Sequence, residues 1–87
     1  MKLRKDYVMQ QLMDEYLVIP VGEAGREFRG TIRMNETGKF MWDAIGRGAD
    51  TKEKVMEELR KAYVGLNEEE AREDLELFLR TVAIAIE

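Results

Sequence analysis

Cysteine and histidine are both absent from the 87 residues, and proline occurs once. Without thiol or imidazole the chain can form no disulfide, offers no Cys nucleophile or His base, and lacks the ordinary ligands of zinc. A metal would need carboxylates, yet Asp43, Asp50, Glu57, Glu58, Glu73 and Asp74 fall into neither a calcium-loop spacing nor a paired arrangement. Gly46, Gly48 and Gly65 are isolated breakers and do not form a phosphate-cradling loop. The expectation is a chain with no catalytic residue, no metal and no cofactor. No stretch approaches the roughly 20 apolar residues of a membrane helix. The opening MKLRKDYV is basic but lacks the apolar run of a secretory signal, so a cytoplasmic protein without a membrane partner is expected.

What is present is the composition of a folded domain, with 45% hydrophobic and 37% charged residues in 10.1 kDa. That length allows one modest core, so residues 1–87 are expected to form one domain. Charge is unevenly placed. Residues 1–42 carry seven basic and six acidic side chains, whereas residues 43–87 carry seven basic and twelve acidic ones. An acidic carboxyl-terminal half repels phosphate backbones and releases few counterions, which disfavours nucleic acid as a partner.

Three extended segments are expected first, over 7–12, 16–21 and 29–34. Tyr16, Val18, Ile19 and Val21 favour a pleated surface, and Asp14 and Glu15 mark the reversal before them. Pro20 cannot donate to a ladder and belongs at a strand end or edge. After a turn over Gly22–Gly25, the third strand alternates sharply, with Gly30, Ile32 and Met34 on one side and Arg29, Thr31 and Arg33 on the other. Arg29 and Arg33 could be a solvated face or could meet carboxylates of an acidic partner, and Arg26 would extend the same patch.

Three helices follow, over 36–46, 52–63 and 68–83. Asn35, Thr51 and Asn67 are their amino-terminal caps, and Glu68, Glu69 and Glu70 suit the dipole of the last one. The first helix presents Thr37, Phe40, Met41, Ala44 and Ile45 as a broad stripe. Trp42 falls off it and reads as an anchor at the core or its edge. Val55, Leu59, Ala62 and Tyr63 should face inward from the second helix, and Ala71, Leu75, Phe78, Leu79 and Val82 from the third. Ile32, Phe40, Leu59, Leu75 and Leu79 are expected to be largely buried. Leu77 and Ile84 project from another side of the last helix, and contact with the sheet, a second copy or a ligand would each cover them. A homodimer therefore stays open.

The phrase Met34-Asn35-Glu36-Thr37-Gly38 followed by Trp42 resembles the hydrophobic-Asn-x-Thr-(Gly/Ala)-x-x-x-Trp pattern of PqqD-like proteins. Phe28-x-Gly30 upstream, and Glu70-Ala71-x-Glu73-Asp74-Leu75 with Phe78-Leu79 downstream, extend the likeness over essentially the full chain. The resemblance implies an α+β, winged-helix-like domain, a three-stranded antiparallel sheet followed by three helices. It also implies non-catalytic capture of the leader region of a ribosomally made precursor peptide and its presentation to a modifying enzyme, often a radical-SAM enzyme. The leader would add as a strand beside the third strand, an extended edge open to strand addition. On that carry-over the peptide-binding residues are Arg29, Thr31, Ile32 and Arg33 along the strand, with Leu77, Arg80, Thr81 and Ile84 on the opposing helix. The tail Thr81-Val82-Ala83-Ile84-Ala85-Ile86-Glu87 departs from relatives that end in Gly and a short apolar segment. Two other readings stay beside this one, a winged-helix protein acting on nucleic acid and a small structural or dimerisation domain. For the former, the second helix offers Lys52, Lys54, Arg60 and Lys61, interleaved with Glu53, Glu57 and Glu58.

Overall fold

A computed structural model describes residues 1–27 and 30–87 of the chain. Strand β1 (Tyr7–Leu12) turns directly into β2 (Glu15–Pro20), and their register places Leu12 opposite Glu15 and Met9 opposite Val18. The reversal therefore falls on Met13 and Asp14, one residue earlier than expected, and Met13 is forced to a positive φ of 57°. Beyond β2 the expected turn is replaced by Gly22 and Glu23 leading into a single helical turn, α1 (Ala24–Glu27). Ala24 is buried there, 1% exposed, so a core contact holds a turn that the isolated glycines did not announce.

Strand β3 (Ile32–Met34) is shorter than the expected 29–34. It pairs antiparallel with β2 through Val18–Ile32, Leu17–Arg33 and Tyr16–Met34. Gly30 and Thr31 lie before the strand, and Phe28 and Arg29 fall outside the described residues. The order β1-β2-β3 makes β3 an edge: no described strand covers its far side. Tyr7 and Val18 are buried on the inner face, where Met9, Ile32 and Met34 pack partly exposed beside them, which is the period of two that the sequence displays.

The covering layer comprises α2 (Glu36–Gly46), α3 (Lys52–Ala62) and α4 (Glu68–Thr81). All three expected caps form: Asn35 accepts from the Gly38 N–H, Thr51 from Lys54 and Asn67 from Glu70. The buried stripe of α2 is rotated from the expected one. It consists of Gly38, Met41, Trp42 and Ile45 with Ala44, because the helix is covered on more than one side, and Trp42 is a core residue, 5% exposed. Phe40 is only partly buried and meets the edge of Tyr63, with ring centroids 5.5 Å apart. On α3, Val55, Met56 and Leu59 face inward, whereas Ala62 and Tyr63 are exposed. The helix ends at Ala62, and Tyr63 turns to extended backbone, so the helical period no longer governs where its ring goes. Ala71, Leu75, Phe78 and Val82 are buried as expected; Leu79 and Ile32 are partly buried at the margin of the core.

Helix α4 stops at Thr81, two residues short of the expected end, and Ala83–Ala85 tighten into a 3₁₀ turn. The atypical tail then docks on the opening segment. Ile86 bridges to Leu3, the Glu87 N–H donates to the Lys2 carbonyl at 2.7 Å, and the Arg4 N–H donates to the Ala85 carbonyl at 2.9 Å. Ala85 is fully buried by this closure.

Candidate functional site

An edge strand leaves backbone N–H and C=O groups without a ladder partner, and a helix alongside decides what else an incoming chain would meet. Here β3 and α4 flank an open groove of about 160 Å³. Arg33 and Met34 border it from the strand, Thr37 and Gly38 from the first turn of α2, and Asp74, Leu77, Phe78 and Thr81 from α4. The α4 residues stand at i, i+3, i+4 and i+7, a single face of the helix. Phe78 and Met41 are part of the core and form a rigid floor, while Leu77 is 56% exposed and stands above it as an unsatisfied apolar wall.

The local sequence explains why the groove stays open. Gly38 lies where a Cβ would meet the Met34 sulfur at 3.0 Å and the capping Asn35 Oδ1 at 3.2 Å, so a side chain there would press on the strand end and on the cap together. Its absence allows α2 to start close against β3. Thr81 spends its hydroxyl proton on the Leu77 carbonyl at 2.8 Å, so it borders the groove with its donor already used. Arg33 is 77% exposed and only loosely paired with Glu15, at 3.7 Å, so its guanidinium is available to another carboxylate.

Of the residues the sequence suggested, the structure brings Arg33, Leu77 and Thr81 to this groove. Thr31 and Ile32 lie along the approach to the strand and the strand itself, Ile32 with its side chain partly against the core. Arg80 is exposed on α4 but does not border the groove, and Ile84 is carried away into the 3₁₀ turn, where it is 43% exposed. Arg29 lies outside the described residues. Asp74 and Phe78 were missed as site residues, although the helical stripe through Leu77 and Thr81 passes through both.

Among the described residues, the carboxylates held away from their ordinary values are Glu53, Asp50 and Glu76, each in a surface ion pair that does not border this groove. The Arg72 guanidinium holds Glu53 below the ordinary carboxylate range, Lys54 does the same to Asp50, and Lys52 to Glu76, each chiefly by a hydrogen bond. Among the described residues no group of three carboxylates is placed to hold a metal ion, and no helix is long and apolar enough to cross a membrane. On α3, Lys52, Lys54 and Arg60 are each paired with an acidic partner, Glu76, Asp50 and Glu68 respectively.

The family model for coenzyme PQQ synthesis protein D matches residues 15–83. No curated protein matches the chain. Among solved structures, the chain is similar to TbiB1, determined in complex with the TbiA(beta) leader peptide, with a TM-score of 0.74 and 19% identity over 100% of this chain and 95% of that one. At that identity the likeness speaks to the fold, and it spans the sheet, the helices and the docked tail alike.

Proposed function

This chain belongs to the PqqD family, and from that membership we propose that it is a non-catalytic binder of the leader region of a ribosomally made precursor peptide, which it presents to a modifying enzyme. The observation that carries the reading is the free edge of β3 opposed by the exposed Leu77 on α4. An extended leader adds as a strand on β3, gaining backbone hydrogen bonds that do not depend on sequence, and its alternate side chains meet Leu77, Phe78 and Met34, which do. The complex of TbiB1 with a leader peptide supports this reading by analogy of fold.

Binding of this kind assists a reaction without performing one. A leader held on the domain raises the concentration of the attached core peptide at a partner enzyme, in the manner of a linked second site. The partner is a peptide-modifying enzyme, with radical-SAM enzymes as the leading class. Residues 1–87 act in this as one unit.

The test is a titration of isotopically labelled protein with the leader of a candidate precursor peptide, read by amide chemical shifts. Changes centred on 31–34 and 74–81 support the site. Changes confined to α3, or none at saturating peptide, would reject it. Incubation of that precursor with this protein alone should leave its mass unchanged.

A further inference from the structure

The groove between β3 and α4 does not end at Asp74. Thr37 and Asp74 also line a second groove of about 190 Å³, which runs between α2 and the α3–α4 turn. The two therefore meet on a shared ridge, and a chain leaving β3 past Leu77 crosses Asp74 and arrives over the second one. Each is smaller than the roughly 300–1,000 Å³ of a small-molecule pocket and suits single side chains of a longer ligand.

The second groove has its own chemistry. Leu59 and Ala71 form a buried floor, and Tyr63, 39% exposed and held by Phe40, forms one wall. Its rim is acidic: Glu70 and Asp74 stand one turn apart on α4, both exposed. The ion pairs among the described residues that reach α4 use Glu68, Arg72 and Glu76, and neither Glu70 nor Asp74 enters one. Two carboxylates beside an apolar floor match a side chain with an apolar stem and a cationic head.

We infer that this second groove is a subsite of the peptide site, seating one large apolar side chain on Leu59 and a neighbouring lysine or arginine against Glu70 and Asp74; the inference rests on the peptide-binding reading above. Arg33 borders only the first groove and Glu70 only the second. That asymmetry of charge between the grooves sets the direction and register in which a leader lies, a specificity that backbone pairing on β3 cannot supply.

A display library of random peptides long enough to cross both grooves, selected separately on the whole protein and on the Glu70→Gln/Asp74→Asn variant, tests this. The unaltered protein should enrich Lys or Arg beside a large apolar residue. Such peptides should bind the double variant about tenfold more weakly. Replacing the peptide's own cation with Gln should cost the same on the unaltered protein, a measurement in which variant folding plays no part. A Glu70→Lys/Asp74→Lys variant should enrich Asp or Glu instead. Binders that show no preference for a cation, or that lose nothing with either replacement, overturn the subsite and leave the peptide-binding proposal standing. Failure of the unaltered protein to enrich any peptide defeats both.

Discussion

The Arg72 guanidinium forks across the Glu53 carboxylate, donating at 2.6 and 3.3 Å, and so ties the middle of α4 to the first turn of α3 outside both grooves. Arg60 extends the contact, reaching Glu53 at 3.9 Å and Glu68 at 2.5 Å. Such exposed pairs contribute modestly and are weakened by salt. Arg72→Ala should lower the thermal midpoint slightly, less at high salt, and leave peptide affinity unchanged. A large loss of affinity in this variant would mean that the α3–α4 angle is set by this pair and not by the core.

Surface ion pairs also shape the pH response. Glu53, Asp50 and Glu76 are all held below their ordinary values by cationic partners in the folded state. Their stabilising contribution is therefore complete above the unfolded carboxylate value, near 4.5 for Glu53, and is lost as pH falls through the folded values. Lys39 runs the other way. Its hydrogen bond to Asp43 raises it above 10.5, so its contribution holds below that value and fades as pH climbs through the folded one. Urea midpoints should be flat between these limits and fall on the acid side, and Arg72→Ala should blunt the acid fall. An unchanged acid limb in that variant would remove Glu53 from the account.

Core truncations should separate into two classes. Leu59 and Leu75 are each 1% exposed, and changing either to Ala should cost about 2 to 5 kcal/mol in urea denaturation. Leu79 lies at the core's margin, so Leu79→Ala should fall below that range. Equal losses at Leu75 and Leu79 would contradict the orientation of α4.

Met13 occupies the first loop position of the β1–β2 hairpin with φ of 57° and is 92% exposed. The left-handed region costs an ordinary residue about 1 kcal/mol or more, and glycine avoids it at some cost in unfolded-state entropy. Met13→Gly should raise stability by up to about 1 kcal/mol, measured by denaturant midpoint. Destabilisation instead would show that the methionine side chain makes a contact that outweighs the backbone.

Leu77→Asp tests the groove directly. With 56% of its surface exposed, Leu77 contributes little to the core, and the variant should keep its melting curve. A charge placed in the apolar contact, beside Asp74, should weaken leader binding about tenfold or more, read by calorimetric titration. Full affinity in this variant would move the interface off α4.

Much of the fold is legible in local pattern. The caps at Asn35, Thr51 and Asn67 act through bonds to backbone three residues on, and the alternation through Ile32 and Met34 is a property of one strand, so both are written locally. The Met34-to-Trp42 phrase carries the family signature. Local pattern fails where it assigns each element one exposed and one buried side. Trp42 falls off the expected stripe yet is buried because α2 is covered from two directions, and Tyr63 is exposed because α3 ends one residue before it.

The succession of three strands and three long helices, the starts of those helices, the strand that offers an edge and the identity of Leu77 as a residue the core does not need all follow from the chain alone, whereas the α1 turn does not. Local hydrogen bonding and hydrophobic period depend on near neighbours, which any stretch of sequence contains. Tertiary packing settles that Asp74 and Phe78 face β3, that Ile84 leaves the groove with the 3₁₀ turn, and that the tail from Ala85 to Glu87 closes on residues 2–4. Those facts depend on the angle at which α4 crosses α2 and on contacts between residues about 80 positions apart, for which no local pattern carries the signal.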